Sequence, residues 1–283
     1  MPELPEVHTT VKGLKKVIIG KTIKSVWSDF HLNTKHGKRR NIKNKKYFKD
    51  FRKRVVGARI KSVERKGKHV IINLSNQNSI IVHMKMTGHL MYGARDLFVH
   101  LIFKLKNAKD LVLSDMRKFA SVCVVKTDEI KNHSGIFNLG PDPLKNLSLS
   151  AFKKRIKLKK NWPIKSVLMD QPTIAGIGNI YSDEILWATA IYPLSISDKI
   201  PDKVLALMFA NIKTILKKSI KLGGDSMSDY RNVLGEKGNY QNYHKAYRKT
   251  GQECLKPKCK GIIKRIVVKG RSAHFCPVHQ IKY

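Results

Sequence analysis

Acidic side chains are scarce in this chain. Its 283 residues hold 20 Asp plus Glu against 57 Lys plus Arg, a formal net charge of +37. Such an excess repels itself in isolation and makes sense beside a polyanion, of which a nucleic-acid backbone is the usual one. Hydrophobic residues make up 42%, which excludes a disordered polybasic tail. Cysteine is also scarce. There are four, three of them beyond residue 250, which excludes a secretory disulfide scaffold and reads as metal spacing. No run of 18 apolar residues occurs and the front carries no signal-peptide pattern, so no membrane is expected and the chain reads as soluble and intracellular. With so few acids, the position of each is informative. Two of them, Glu3 and Glu6, stand in the opening MPELPEV.

Residues 3–19 read as a helix, with Val7, Val11, Leu14 and Ile18 at helical spacing and Gly20 as its stop. From 22 to 125 the texture is that of strands: HVIINL, SIIVHM, FVHLIFKL, LVLSD and FASVCVV are short apolar runs rich in β-branched residues. They predict a β-sandwich or barrel. Lys35 to Arg54 carries 11 basic residues in 20 and is expected to be a solvated loop. Residues 139–148 read as a linker. Helical signals follow, with Ser150 as a candidate cap, short helical stretches at 164–170 and 182–189, and a long one at 201–221. The face of the last is expected to hold Val204, Leu207, Met208, Ile212, Ile215 and Leu216. Residues 223–250 are polar and glycine-containing, and are expected to bury little. The expected plan is α+β and multidomain: an N-terminal β-sandwich with an N-terminal helix over 1–138, a helical domain over 139–250, and a metal module over 251–283. A cleft between two basic domains is a natural place for a duplex.

Cys254, Cys259, Cys276 and His279 form C-x4-C, a 16-residue spacer and C-x2-H. Two close pairs joined by a strand–turn–strand suit one tetrahedral Zn2+. Four protein ligands leave no open position, so the ion is expected to be structural. His274 is the alternative fourth ligand, but it lies in an expected strand. Cys123, isolated in an apolar run, is expected to be a buried thiol. The turn at Lys269 and Gly270 presents Arg271, whose guanidinium suits phosphate.

Six separated stretches together resemble the bacterial formamidopyrimidine-DNA glycosylase family: PELPEV at 2–7, GKHV at 67–70, HMKMTG at 83–88, LSDMRKFA at 113–120, DQPTIAGIGNIYSDE at 170–184 and KGRSAHFCP at 269–277. The resemblance covers essentially the whole chain. It implies a β-sandwich, a helix–two-turns–helix domain and a zinc-finger β-hairpin. It also implies a bifunctional glycosylase and abasic-site lyase that excises oxidised purines from double-stranded DNA. The partner is DNA containing oxidised bases, with no nucleotide cofactor, and the protein is expected to be a cytoplasmic, nucleoid-associated monomer.

Pro2 becomes a secondary amine when Met1 is removed, which a small second residue favours. A free α-amino group titrates around 8, far below lysine, and so is usable near neutral pH. The resemblance implies that Pro2 is the nucleophile, Glu3 the general acid/base, and Glu6 a positioning group at the lesion. A helix start also favours acids by itself. Lys68 and Arg271 are implied in catalysis through phosphates at the lesion, and His83, Asn179 and Tyr181 in DNA binding. Gly176 and Gly178 would allow a tight turn near the DNA backbone. Met86, Arg117 and Phe119 match the residues that fill the gap left by a flipped base. The loop at 223–240, with Ser226, Ser228 and Tyr230, matches the segment that closes over the lesion. That loop is less threonine-rich than the family's usual form, Lys85 stands where glycine is common, and the basic run at 35–54 is extra. Two other readings fit parts of the pattern: the sister type acting on oxidised pyrimidines, and a zinc-finger architectural or ribosomal protein.

Overall fold

The computed structural model describes residues 1–30 and 41–283. The chain divides into two units, Met1–Phe137 with Leu222–Asn239, and Asn138–Lys221 with Tyr240–Tyr283.

In the first unit, α1 spans Leu4–Val17 and buries Val7, Val11 and Leu14. Then follow β1 (Ile23–Ser28), α2 (Lys45–Val55), β2 (Ile60–Lys66), β3 (His69–Leu74), β4 (Asn78–His83), β5 (His89–Tyr92), β6 (Val99–Leu105), β7 (Leu111–Ser114) and β8 (Ser121–Lys126). The strands form two antiparallel four-stranded sheets, ordered β1-β6-β7-β5 and β2-β3-β4-β8. Alternate residues of both, among them Val70, Ile72, Val82, Val122, Leu101, Phe103 and Leu113, share one core with α1. This is the expected β-sandwich. Strands β1 and β2 escaped the sequence pattern because each carries a register shift near its start. The shift spaces their buried residues by three, at Ile23 and Val26 and at Ile60 and Val63, which hides the period of two.

The basic run is not a solvated loop over its described part. Asn44 caps α2 by accepting from the Tyr47 N–H at 2.9 Å, and Phe48, Phe51 and Val55 enter the sandwich core. Three apolar residues at helical spacing suffice to anchor a helix whose other faces are basic. Residues 35–40 of that run lie outside the described residues.

The segment 222–239 also buries more than expected. Val233 belongs to the sandwich core, and its carbonyl accepts the Tyr92 N–H at 2.8 Å. A Cβ at Gly13 of α1 would stand 2.8 Å from Val233 Cγ2, so the helix keeps a glycine where the segment crosses it.

The second unit holds α3 (Leu149–Lys157), α4 (Ile164–Met169), α5 (Asn179–Ala188), α6 (Asp202–Lys221) and the hairpin β9 (Lys264–Val268) and β10 (Arg271–Phe275). The cap of α3 is Ser148, not Ser150: its hydroxyl accepts from Ala151 N–H at 3.2 Å. On α6 the buried face runs through Leu205, Met208, Ile212 and Leu216, while Leu207 is half exposed. A buried ionic cluster joins three elements of this unit. The Lys165 ammonium of α4 meets Asp183 of α5 and Ser182, and Asp183 accepts from both the N–H and Nδ1 of His274 in β10, at 3.1 and 2.8 Å. Both Lys165 and Asp183 are fully buried.

Asp183→Ala strands that ammonium without its counter-charge. It should lower unfolding stability by about 3–5 kcal/mol in urea titrations. Asp202→Ala, which removes an exposed partner of Lys153 and Lys157, should leave the midpoint unchanged.

Candidate active site and nucleic-acid interface

At the front, Pro2 is buried ahead of α1, and Glu3 is the N-cap in extended conformation. Glu3 and Glu6 are each 1% exposed. The Glu6 carboxylate accepts two backbone donors, Glu3 N–H at 2.7 Å and Asp225 N–H at 2.8 Å. Gly224 makes the second contact possible. Its φ is +88°, and a Cβ there would meet Glu6 Oε1 at 3.0 Å. Tyr230 donates its hydroxyl to the Glu6 carbonyl at 3.0 Å and lies near Thr10. Burial holds the Tyr230 phenol well above its ordinary pKa, so it stays a neutral donor. Ser226 donates to the Tyr230 carbonyl and accepts from Gly238 N–H, both at 2.8 Å. Ser226 and Tyr230 therefore shape the loop from within. Met227 and Ser228, beside them, are exposed. Asp225 was missed in the sequence; the Gly-Gly pair before it was its only signal.

Lys68 lies with Gly67 in the two-residue turn between β2 and β3, where Gly67 has φ +53°. Two histidines stand beyond it. His69 and His83 meet edge to face, with centroids 4.6 Å apart. Burial, with the charge of His133, lowers the His69 pKa to about 4. Burial, with His69 and the ammonium groups of Lys85 and Lys68, lowers that of His83 to about 2. His83 is thus neutral at pH 7. Its Nδ1 accepts the Lys85 N–H at 3.0 Å, which puts the ring proton on Nε2. His83 can meet a phosphate only as a hydrogen-bond donor from that nitrogen.

Met86, Arg117 and Phe119 come together. The Arg117 guanidinium lies over the Phe119 ring at 4.5 Å, and its Nη1 reaches Met86 Sδ at 3.4 Å. Met86 is 40% and Phe119 48% exposed; Met116, not singled out in the sequence, is 49% exposed beside them. Exposed apolar side chains clustered on a basic surface mark a contact surface. Cys123 is a buried thiol that burial pushes up to about 12, as expected of an inert cysteine.

In the second unit, Asn179 is the first residue of α5, and its Oδ1 is buried with no partner among the described residues. The preceding turn is held by one side chain. Gln171 donates to the carbonyls of Met169 and Ile177 at 2.9 and 2.8 Å and accepts from Gly176 N–H at 2.9 Å. Gly176, at φ +99°, completes it. Gln171 was missed, although it opens the QPTIAGIG stretch. Tyr181 corrects an expectation: its ring is fully buried and its hydroxyl pairs with Ser219 at 2.6 Å, so the side chain does not reach a phosphate. Arg271 is exposed at the start of β10, after a turn in which Lys269 lies over the Trp162 ring at 3.3 Å.

The ligand atoms of Cys254, Cys259, Cys276 and His279 all lie within 4.8 Å of one another. Three further contacts fit a metal centre. His279 Nε2 faces the Trp187 carbonyl at 3.1 Å, which leaves Nδ1 for the ion. The Trp187 indole N–H and the Gly261 N–H each point at a sulfur, Cys254 and Cys259, at 3.4 Å. A Cβ at Gly261 would stand 2.4 Å from Cys276 Sγ, so only glycine passes there. His274 is occupied by Asp183 and stands outside the quartet. The residues present fit a bound metal. Cys276→Ser should abolish metal binding, measured by elemental analysis, and should weaken DNA binding with it. Full metal content with unchanged DNA binding would contradict a structural ion.

Two family models match the chain: the formamidopyrimidine-DNA glycosylase N-terminal domain over residues 1–122 and the formamidopyrimidine-DNA glycosylase H2TH domain over residues 139–231. The formamidopyrimidine-DNA glycosylase of Lactobacillus acidophilus is 36% identical with all of both chains covered, and that of Bacillus subtilis 34%. Among solved structures, a Lactococcus lactis Fpg mutant bound to Fapy-dG-containing DNA matches with TM-score 0.87 and 32% identity, over 99% of this chain and 100% of that one. The wild-type Lactococcus lactis protein in complex with an oxidized-pyrimidine-containing DNA matches with TM-score 0.85 over the same shares. Both halves of the fold, the front-end cluster and the full-length relatives agree: this chain belongs to the formamidopyrimidine-DNA glycosylase family.

Proposed function

We propose that this protein excises oxidised purines, 8-oxoguanine and formamidopyrimidines, from duplex DNA and then cleaves the strand as an abasic-site lyase. The observation that carries the reading is the front-end cluster, in which Glu6 holds both the turn that follows Pro2 and the 222–239 loop. With Met1 removed, the imino nitrogen of Pro2 attacks C1′ of the extruded nucleotide and the base departs. The resulting Schiff base makes the C2′ proton acidic. Its loss expels the 3′ phosphate, and a second elimination expels the 5′ phosphate, leaving a one-nucleotide gap. Glu3, adjacent to the nucleophile, is the proton carrier, and Glu6 is the positioning group.

The remaining roles follow from local chemistry. Lys68, His83, Asn179 and Arg271 take phosphates near the lesion; His83 does so as a neutral donor. Met86, Arg117 and Phe119 fill the vacated position and offset the unstacking cost of a few kcal/mol. Ser228 and Met227, both exposed, are available to meet the extruded base, while Ser226 and Tyr230 hold the loop in shape. Cys254, Cys259, Cys276 and His279 would hold a Zn2+ ion whose contribution is structural, fixing the hairpin that carries Arg271. The protein works where chromosomal DNA is. Among the described residues, no helix is long and apolar enough to cross a membrane.

The sister reading, oxidised pyrimidines, gains weight from the Lactococcus complex with such a lesion. PELPE at the front and the Arg117/Phe119 pair favour purines. Single-turnover excision from duplexes carrying 8-oxoguanine, a formamidopyrimidine or thymine glycol separates the two. The purine lesions should be cut fastest, and Glu3→Gln should slow that cut by about 10²–10⁴-fold. Faster cutting of thymine glycol would overturn the substrate assignment.

A further inference from the structure

The three side chains that fill the gap come from two separate turns, and one buried pair clasps those turns together. The first turn, Met84–Gly88, carries Met86. Lys85 has φ +56°, and Gly88 N–H donates to the Met84 carbonyl at 3.1 Å. A Cβ on Gly88 would lie 2.4 Å from that carbonyl oxygen, so only glycine closes the turn. The second turn, Asp115–Lys118, carries Arg117 and leads to Phe119. Lys118 has φ +51°, and its N–H donates to the Asp115 carbonyl at 2.9 Å.

Between them stand Thr87 and Asp115. The Thr87 hydroxyl donates to one carboxylate oxygen of Asp115 and accepts the Arg117 N–H at 3.2 Å. The other carboxylate oxygen accepts the Ala120 N–H at 2.6 Å. Asp115 is fully buried and Thr87 is 5% exposed. Each of Met86, Arg117 and Phe119 lies within two residues of an atom of the clasp, yet Met86 and Phe119 are themselves largely exposed and Arg117 is exposed. Core packing therefore does not fix these side chains. Their backbone positions are set by hydrogen bonds to one buried carboxylate and one hydroxyl. A buried carboxylate is costly unless its donors are in place, so the clasp has one well-satisfied arrangement.

We propose that Thr87 and Asp115 are the positioning residues of the wedge, assembling Met86, Arg117 and Phe119 into one rigid body before DNA arrives. This rests on the proposed base-extruding function. A preassembled wedge matters where an extruded base leaves an orphaned partner in a stack. It matters little where no partner base has to be dealt with. The clasp thus sets discrimination between paired and unpaired lesions rather than chemistry at C1′.

Asp115→Ala risks misfolding, so the informative variant is Thr87→Val. It keeps the side-chain volume, removes the hydroxyl, and deprives both Asp115 and the Arg117 N–H of a partner. Thr87→Ser restores the hydroxyl. Single-turnover excision is measured for 8-oxoguanine opposite cytosine and for 8-oxoguanine opposite an abasic analogue. Thr87→Val should slow the paired substrate by about tenfold or more and leave the other within about twofold, with Thr87→Ser near wild type on both. Equal slowing of both substrates, or of neither, would overturn the proposal. Binding is read separately, with 2-aminopurine opposite an uncleavable abasic analogue. The wild type should change its fluorescence and Thr87→Val should not; an unchanged response in Thr87→Val would also overturn the proposal. A wild type that cuts no lesion but shows this fluorescence difference would overturn the catalytic reading and leave the clasp standing.

Discussion

The Glu6 carboxylate accepts one backbone N–H from the turn after Pro2 and one from Asp225, 219 residues further along the chain. The front of the molecule is organised around that group. It closes the first turn of α1, so the helix start is capped. It also draws Gly224 and Asp225 against α1, where Tyr230 adds a bond to the Glu6 carbonyl and Val233 settles over Gly13. The proposed nucleophile at position 2 needs a fixed backbone beneath it, and the proposed closing loop needs a fixed base. One side chain supplies both. This is a stronger role than the general preference of helix starts for acids, although it includes that preference.

The scarcity of acids acquires a physical meaning. In a chain of charge +37, several of the few carboxylates are buried and spent on backbone N–H groups. Glu6 fixes the front, Asp115 fixes the wedge turns, and Asp183 ties α4, α5 and β10. Glu184 accepts from the N–H groups of Lys245, Ala246 and Tyr247 at 2.9–3.0 Å, and its burial raises its pKa. The basic side chains stay largely at the surface, where they favour a polyanion and give binding a steep salt dependence. The acids hold the framework that gives this attraction a geometry.

Much of this was legible in the sequence, for definable reasons. The α1 stripe and the metal quartet rest on spacing alone, and spacing survives folding. The proposed wedge residues and front-end acids rest on motif order. What escaped involved a local irregularity or a distant partner. Register shifts in β1 and β2 hid their alternation. The apolar stripe of α2 was masked by its lysines and arginines. Tyr181 was grouped with Asn179 at one helix start, but residues two apart on a helix face different ways. Ser226 and Tyr230 were matched to a loop whose internal hydrogen bonds no pattern reveals. Gln171, Thr87 and Asp115 act through other residues, so only coordinates show what they hold.

The central claim is that the chain's second residue forms the covalent bond to DNA. The direct measurement is borohydride trapping on a duplex carrying 8-oxoguanine, followed by peptide mapping of the adduct by mass spectrometry. The account predicts a protein lacking Met1, with the deoxyribose remnant on Pro2, and no adduct when the N-terminus is blocked or in Pro2→Gly. An adduct mapped to a lysine side chain, or one that survives both changes, would contradict it.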